Sequence, residues 1–327
     1  MNKRIRWIDI AKGILILLVI IGHCEVGSCV KYVIYSFHMG AFFFLSGLTF
    51  SAKNNPKVFV TKKVKSLLLP YCFFSVLLTA YNFAKHIVFS SAFNLKDAIM
   101  SFFVPISGKY ESSVYGLWFL PCIFLTELLL YSIIRFYSKN KVVSVIYGIT
   151  VVVGFGLIFI FTKIACVVTI IPISILCILC GYLAKRVLFK IYNYRAFAFA
   201  VSFVVFTLLV ILNNILSDSS LDLSSLNLGC VPIYILSTFF GSVAVCTISM
   251  CIEKIKFTKL ITYIGINSLY FYGFHYEVLG LISSLIRNPY VDAVLTITCL
   301  LPIVFVYTKI KSKIEGIIND QRYRSCL

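Results

Sequence analysis

The chain has 327 residues, of which 60% are hydrophobic and 13% charged, and its mean hydropathy is +0.98. Soluble domains are about 45–50% apolar and about 25% charged, so the composition excludes a soluble enzyme and predicts a polytopic membrane protein. The formal net charge is +18, but the basic residues lie in short clusters between apolar runs, with no nucleic-acid-binding motif. We therefore expect the lipid bilayer, and not nucleic acid, as the surroundings of this chain.

Ten apolar runs follow one another along the chain. Each is close to the roughly 20 residues that a helix needs to cross a hydrocarbon core about 30 Å thick. The runs are continuous and not alternating, which favours helices over the strands of a membrane barrel. They predict an all-α, polytopic integral membrane helix bundle whose spans lie at residues 7–24, 33–52, 66–90, 114–136, 142–162, 165–184, 196–215, 230–252, 260–284 and 291–309. Gly40 and Gly47 predict that the second span is broken or tilted.

The basic residues predict the orientation of these spans. If the N-terminus is cytoplasmic, all but six of the 30 basic residues fall on the cytoplasmic side. The six on the outer side are Lys31, Lys85, Lys96, Lys109, Lys163 and Arg287. By the positive-inside rule, both termini are expected in the cytoplasm. The loop at 216–229, which contains Ser219 and has no Lys or Arg, is expected outside.

Ionisable side chains at membrane depth are costly, so they mark candidate functional positions. Asp9 and Lys12 share a face of the first span and can pair, although anchoring at the interface would explain them equally well. His23 ends the first span and His38 opens the second, across the short loop 25–32. The loop predicts that both imidazoles lie at similar depth and can share a proton or a hydroxyl substrate. A buried structural histidine is the alternative.

Three further positions stand out along the chain. Glu127 lies midway along the fourth span without a basic neighbour in sequence, so it needs a partner from another helix, a proton or a watery cavity. His275 lies toward the outer end of the ninth span. The Lys62–Lys65 cluster before the third span is either a cytoplasmic flank or a phosphate-binding patch. No metal site is predicted, because no further His or acidic residue has a recognisable ligand spacing.

Five segments carry a resemblance to a known family. They are RIRWIDIAKGILILLVIIGH, YSFHMGAFFFLSG, FVTKKVKSLLLPY, GLWFLPCIFLTELL and ITYIGINSLYFYGFHYEVL, in this order. Over residues 4–310 the chain resembles the membrane-bound acyltransferase family 3, particularly its stand-alone branch of fucose-4-O-acetylase-like proteins. The resemblance implies one membrane acyltransferase domain, 1–327, in which 310–327 is a short basic cytoplasmic tail.

The resemblance also implies an activity. Such an enzyme takes an acetyl group from cytoplasmic acetyl-CoA, without a permanently bound cofactor, and carries it to a sugar hydroxyl. The expected acceptor is a glycan or lipid-linked sugar of a capsule, an O-antigen or an exopolysaccharide. The expected location is the bacterial cytoplasmic (inner) membrane, which the chain would cross many times.

The family's functional positions carry over residue by residue. His23 matches the essential histidine of the first helix, and Lys12 matches a basic residue that is Arg in many members. His38 matches the FH of the second helix, and Ser46 the SG that follows. The basic R-x-x-R element thought to meet the acyl donor matches Lys62–Lys65, which here reads K-x-x-K. Lysine binds phosphate as a point charge, without the bidentate fork of arginine.

These matches predict a chemistry. A sugar hydroxyl is a poor nucleophile, so His23 is expected to act as general base, with His38 as the second catalytic residue. The residues expected to bind donor or acceptor are Asp9, Lys12, Lys62, Lys65, Ser46, Glu127 and His275. Either the acyl arm of the donor reaches into the membrane, or an acyl-histidine intermediate carries the group across. A proton-coupled transporter or flippase of glycan precursors is the alternative function, which the lack of a visible internal repeat disfavours.

Overall fold

The computed structural model describes residues 4–91, 93–103, 113–162, 167–217, 220–286 and 288–324. Within these ranges the chain is helical throughout, apart from turns and a single isolated bridge between Asp222 and Asn227. The helices are α1 (Arg6–His23), α2 (Ser28–Tyr35), α3 (His38–Thr49), α4 (Pro56–Lys63), α5 (Leu69–Phe89), α6 (Leu95–Phe103), α7 (Phe119–Tyr137), α8 (Lys141–Thr162), α9 (Val167–Lys190), α10 (Arg195–Leu216), α11 (Val231–Ile252), α12 (Thr258–Ile266), α13 (Ser268–Ile286) and α14 (Pro289–Arg324). The prediction about Ser219 falls outside the described residues.

Seven helices of the described ranges are long and apolar enough to cross a membrane. They are Ser28–Thr49, Pro56–Phe89, Phe119–Tyr137, Lys141–Phe161, Val167–Leu216, Val231–Ile252 and Pro289–Ile314. Val167–Leu216 has 50 residues, enough for two crossings, and a 3₁₀ turn at Ile191–Tyr194 divides it into α9 and α10. The chain is therefore an all-α polytopic membrane protein, as predicted; the count of ten spans and the cytoplasmic termini stay predictions.

Two predicted spans take the form of broken helices. The second span stops at Tyr35 and restarts at His38. The carbonyl of Ser36, at the break, accepts hydrogen bonds from the hydroxyls of Ser237 and Thr238, at 3.1 and 3.3 Å. Polar side chains of a neighbouring helix thus satisfy the backbone that the break exposes. The ninth span is also divided, at Asn267, whose backbone N–H and side-chain amide both donate to the carbonyl of Tyr263, at 3.1 and 3.0 Å.

The predicted break does not occur at the glycines from which it was inferred. Gly47 of α3 faces Gly181 of α9, and a Cβ at either position would overlap backbone atoms of the other helix. Small residues allow helices in a membrane to approach at backbone contact, which replaces the hydrophobic effect that lipid removes. Gly40 likewise makes room for the side chain of Thr238 on α11. These glycines therefore serve helix packing, and the break has a separate cause.

The described chain forms two compact units. The first consists of Met1–Lys31 and Glu253–Leu327, where α1 packs against α12, α13 and α14. Its closest approach again uses glycine, since a Cβ at Gly265 would overlap the carbonyl of Asp9. The second unit is Tyr32–Ile252, in which α3, α7, α8 and α11 pack on α9 and α10 pairs with α11.

Candidate functional site

His23 is the last residue of α1 and its side chain is exposed. Its ring lies 5.1 Å from the ring of His275 and 5.7 Å from that of Tyr276, centroid to centroid. Both partners belong to α13, so the N-terminal and C-terminal segments of the chain together build this part of the first unit. An imidazole at a helix end, open on one side and in contact with a second imidazole on the other, can exchange a proton with a bound molecule.

His275 has a defined tautomer. Its side chain is 1% exposed, and its Nδ1 lies 2.7 Å from the carbonyl oxygen of Tyr272. Because a carbonyl can only accept, Nδ1 carries the proton and donates it in this hydrogen bond. The Nε2 atom then keeps its lone pair, and no donor among the described residues reaches it. The Nε2 atom is therefore a buried acceptor that a bound donor would satisfy.

A cavity of about 540 Å³ opens beside His23. Its lining includes the ring of Tyr276 and the side chains of Ser283 and Ser284 from α13. Two carboxylates complete the polar part, those of Glu25 and Asp292. The size is within the range of small-molecule sites, and the polar groups converge on one space. This cavity in the first unit is therefore a candidate site for a small polar molecule.

His38 is the first residue of α3 and belongs to the second unit. Its side chain is buried, and its Nδ1 donates to the carbonyl of Ile34 at 2.7 Å, while the ring of Tyr35 lies 4.9 Å away. This leaves Nε2 as an acceptor, which is the form that a base requires. The prediction that His38 acts together with His23 stays a prediction.

Glu127 has an ion-pair partner on another helix, as its position in an apolar span requires. The carboxylate is 2% exposed and forms an ion pair of 2.5 Å with the ammonium group of Lys63. Its second oxygen accepts a short hydrogen bond from the hydroxyl of Ser46. One buried carboxylate therefore ties α7, α3 and the end of α4 together, which places three of the sequence-selected residues in one cluster. Here Glu127 acts on protein groups, so its predicted role toward donor or acceptor stays a prediction.

The basic cluster divides its lysines between two environments. A π-helical turn, Val64–Leu68, follows α4 directly, and such turns are frequent at functional sites. Lys63 turns inward to Glu127, whereas Lys62 and Lys65 are exposed. Phe59, stacked on the ring of Tyr131 at 4.3 Å, lies below the Lys63 ammonium group and supports this arrangement. The two exposed lysines remain available to an anionic ligand.

The start of α1 carries another buried charge. Asp9 is 4% exposed, and its carboxylate accepts a hydrogen bond of 2.7 Å from the guanidinium group of Arg4. The sequence indicated that Asp9 and Lys12 can pair, from their i,i+3 spacing, and that pairing stays a prediction; Arg4 was not singled out. Arg4 lies two residues before the start of α1 and reaches back to its first turn, a geometry that helical spacing does not include.

Sequence reasoning also missed Asp292. This residue lies in the first turn of α14, at the start of the predicted tenth span, and its side chain is 5% exposed. The signal that would have found it is a carboxylate inside an apolar run, the criterion that selected Glu127. In the described part of the chain, no three His, Cys, Asp or Glu side chains form a cluster that could hold a metal ion.

Comparison with known proteins adds one positive finding. A family model for the acyltransferase 3 family, described as an acyltransferase domain, matches residues 5–308 of the chain. No curated protein and no solved structure matches it.

Proposed function

The chain belongs to the acyltransferase 3 family, and from this premise we propose that it is an O-acetyltransferase of the bacterial inner membrane. It takes an acetyl group from acetyl-CoA and transfers it to a sugar hydroxyl. The acceptor is a surface or exported glycan, such as a capsule, O-antigen or exopolysaccharide, or its lipid-linked precursor. His23 is the general base.

One observation supports this function above the others. The exposed imidazole of His23 lies at the edge of a polar cavity of about 540 Å³ and contacts a second imidazole that carries a free lone pair. Acyl transfer to an alcohol needs a base within hydrogen-bond reach of the attacking hydroxyl, in a space that admits the acceptor. The exposed imidazole of His23 and the adjoining cavity support the proposal on both points.

The proposed step assigns each proton. The acceptor hydroxyl donates its proton to His23 while its oxygen attacks the thioester carbonyl of acetyl-CoA. A new carbon–oxygen bond forms, the carbon–sulfur bond breaks, and the coenzyme leaves as a thiolate that takes up a proton from the imidazolium. His275 packs against His23, with 5.1 Å between the ring centroids, and would help to hold the base in place beside the cavity. These roles describe direct transfer; in an acyl-histidine route an imidazole nitrogen would instead attack the thioester first, and the hydroxyl would then attack the acyl-imidazole.

The donor is assigned to the second unit. Lys62 and Lys65 are exposed at the π-helical turn and would bind the phosphates of the coenzyme as point charges. Lys63 is already paired with the Glu127 carboxylate, so it would not bind the phosphates of the coenzyme directly. The donor is therefore expected to depend on two lysines of the cluster and not on the third directly.

Replacement of His23 by alanine tests the function. We expect acetyl transfer from labelled acetyl-CoA to the glycan of native membranes to fall about 100-fold or more, the usual effect of losing a general base. Because His23 is exposed beside a cavity, added imidazole should restore part of the rate. His86→Ala is the matched control, since this exposed histidine lies in the other unit.

Two results would speak against the proposal. Full activity of His23→Ala, in protein that inserts and folds normally, would leave the imidazole as a polar group at a helix end. Loss of glycan export together with no acetyl transfer, even in the unaltered chain, would favour the transporter instead. If the chain is an acetyltransferase, His23→Ala should leave glycan export unchanged and remove only the O-acetyl groups.

A further inference from the structure

Asp292 is a buried carboxylate whose Oδ1 atom has no hydrogen-bond partner among the described residues. The side chain is 5% exposed, forms no ion pair there, and lines the cavity beside His23. Buried polar atoms in native proteins nearly always have a partner, so an orphaned carboxylate oxygen requires an explanation. A ligand that donates a hydrogen bond into the cavity would supply one.

The other polar groups of the cavity also present acceptors. The Glu25 carboxylate is exposed at its edge. The hydroxyl groups of Ser283 and Ser284 donate to carbonyls of their own helix, those of Gly280 and Leu281, at 3.4 and 2.7 Å. Since these hydroxyls use their protons within the helix, their oxygen lone pairs remain available as acceptors. No Lys or Arg appears among the described residues that line the cavity.

This chemistry selects a ligand class. A cavity with two carboxylates, hydroxyl oxygens and no fixed cation attracts groups that donate hydrogen bonds and repels anions. We propose that this cavity binds a neutral sugar ring of the acceptor, with a ring hydroxyl donating to Asp292 Oδ1, and that it rejects acidic sugars. The inference rests on the proposed function for its acceptor being a glycan. Beyond that function, the sugar is uncharged and Asp292 recognises it.

A structural role for Asp292 makes a different prediction. An acidic residue in the first turn of a helix stabilises the helix through the macrodipole, whether or not a ligand binds. Asp97 is in the same position, in the first turn of α6 in the second unit. Asp97→Asn therefore removes the same helix contribution without touching the cavity, and it is the matched control for Asp292→Asn.

Binding of simple glycosides to the purified full chain, without acetyl-CoA, tests the inference. The probes are the neutral methyl glycosides of glucose, galactose, mannose and fucose, and the methyl glycosides of glucuronic and galacturonic acid, followed by saturation-transfer NMR. We expect at least one neutral glycoside to bind and the two acidic ones not to. Asp292→Asn should weaken the neutral interaction about tenfold, since it loses a charge-assisted hydrogen bond, and Asp97→Asn should not change it.

Each contrary outcome overturns the inference. Binding of no neutral glycoside, equal or tighter binding of the acidic glycosides, or equal affinities for Asp292→Asn and the unaltered chain would each do so. Because the assay contains no acyl donor, it separates this inference from the proposed function. If neutral glycosides bind through Asp292 but the separate transfer assay shows no acetyl transfer, only the proposed acetyltransferase activity is contradicted. If acetyl is transferred to an acidic sugar, only the proposed selectivity for neutral sugars is contradicted.

Discussion

At the scale of single residues, the pairing of Glu127 with Lys63 is the most consequential contact in the second unit. The carboxylate is almost completely buried, whereas the Lys63 side chain is 21% exposed. A buried charge that loses its partner is strongly destabilising, because its desolvation is no longer compensated. Removing the lysine should therefore cost more than removing the carboxylate, since an unpaired Lys63 can extend toward its exposed side.

This asymmetry gives a prediction on stability. Lys63→Met should destabilise the chain by about 3–5 kcal/mol, the range for breaking a buried pair, and lower its thermal midpoint in detergent. The double variant Lys63→Met with Glu127→Gln should recover most of the loss, because an amide can still accept from Ser46. Lys65→Met removes an exposed lysine of the same cluster and serves as control. Equal midpoints for Lys63→Met and Lys65→Met would contradict the pairing.

The sequence predicted part of this residue-level picture. An isolated glutamate in an apolar run indicated that Glu127 needs a partner from elsewhere, and the structure supplies one. The identity of that partner could not be predicted, because three lysines lie within four positions and spacing alone does not tell which one turns inward. His275 was selected for the same reason as Glu127, but its contact with His23 joins opposite ends of the chain, beyond the reach of local patterns.

At the scale of elements, the π-helical turn Val64–Leu68 arranges the predicted donor patch. A π turn inserts a residue into the helical register, so side chains that follow it point in directions that regular helical spacing does not give. Lys65 lies within this turn, whereas Lys62 and the inward Lys63 both precede it at the end of α4. The sequence predicted the basic cluster and its position before a membrane span, but not this turn.

Kinetics of the double variant Lys62→Ala with Lys65→Ala test the donor patch. We expect the apparent KM for acetyl-CoA to rise while the dependence on glycan stays nearly constant, because in the proposed function the lysines bind only the phosphates of the donor. Each lost contact should cost on the order of 1–3 kcal/mol. Lys57→Ala, which removes an exposed lysine of α4, is the control. A KM unchanged from that of the control would leave these lysines as an ordinary cytoplasmic flank.

Breaks within the predicted spans were the least predictable elements. Apolar runs predicted where helices lie, and a helix occupies the described part of each of the ten predicted ranges. They did not predict the stops at Ser36 and Asn267. At Ser36 the exposed carbonyl is satisfied by hydroxyl groups of a neighbouring helix, which the local apolar pattern does not indicate. Glycine was a poor guide to the break, since in a membrane it more often marks close helix contacts.

At the scale of the whole molecule, composition alone predicted a polytopic all-α membrane protein, which the helices confirm. The number of crossings is harder to fix from hydropathy. The helix α1 has 18 residues but contains Arg6, Asp9 and Lys12, α12 has only 9 residues, and α13 has 19 residues but contains His275 and Glu277. None of the three falls among the seven clearest spans. Charges near helix ends are frequent in spans that carry function, where they reduce the mean hydropathy.

Sidedness follows from the distribution of charge. If the positive-inside rule holds for this chain, Lys62 and Lys65 face the cytoplasm, where acetyl-CoA is made available to them. The donor carries several phosphate charges and does not cross a sealed bilayer. Acetyl transfer must then depend on which face of the membrane meets the donor, a property that neither a transporter of finished glycan nor a soluble contaminant would show.

The decisive measurement is acetyl transfer in sealed membrane vesicles of defined orientation. Labelled acetyl-CoA is added to the outside of inverted vesicles, which expose the cytoplasmic face, and of right-side-out vesicles, each with and without the chain. We predict that label enters the glycan only in inverted vesicles that contain the chain, and in right-side-out vesicles only after they are opened. Inverted vesicles that contain folded chain and its glycan, yet transfer no acetyl group, would contradict the assignment of this protein as a membrane O-acetyltransferase.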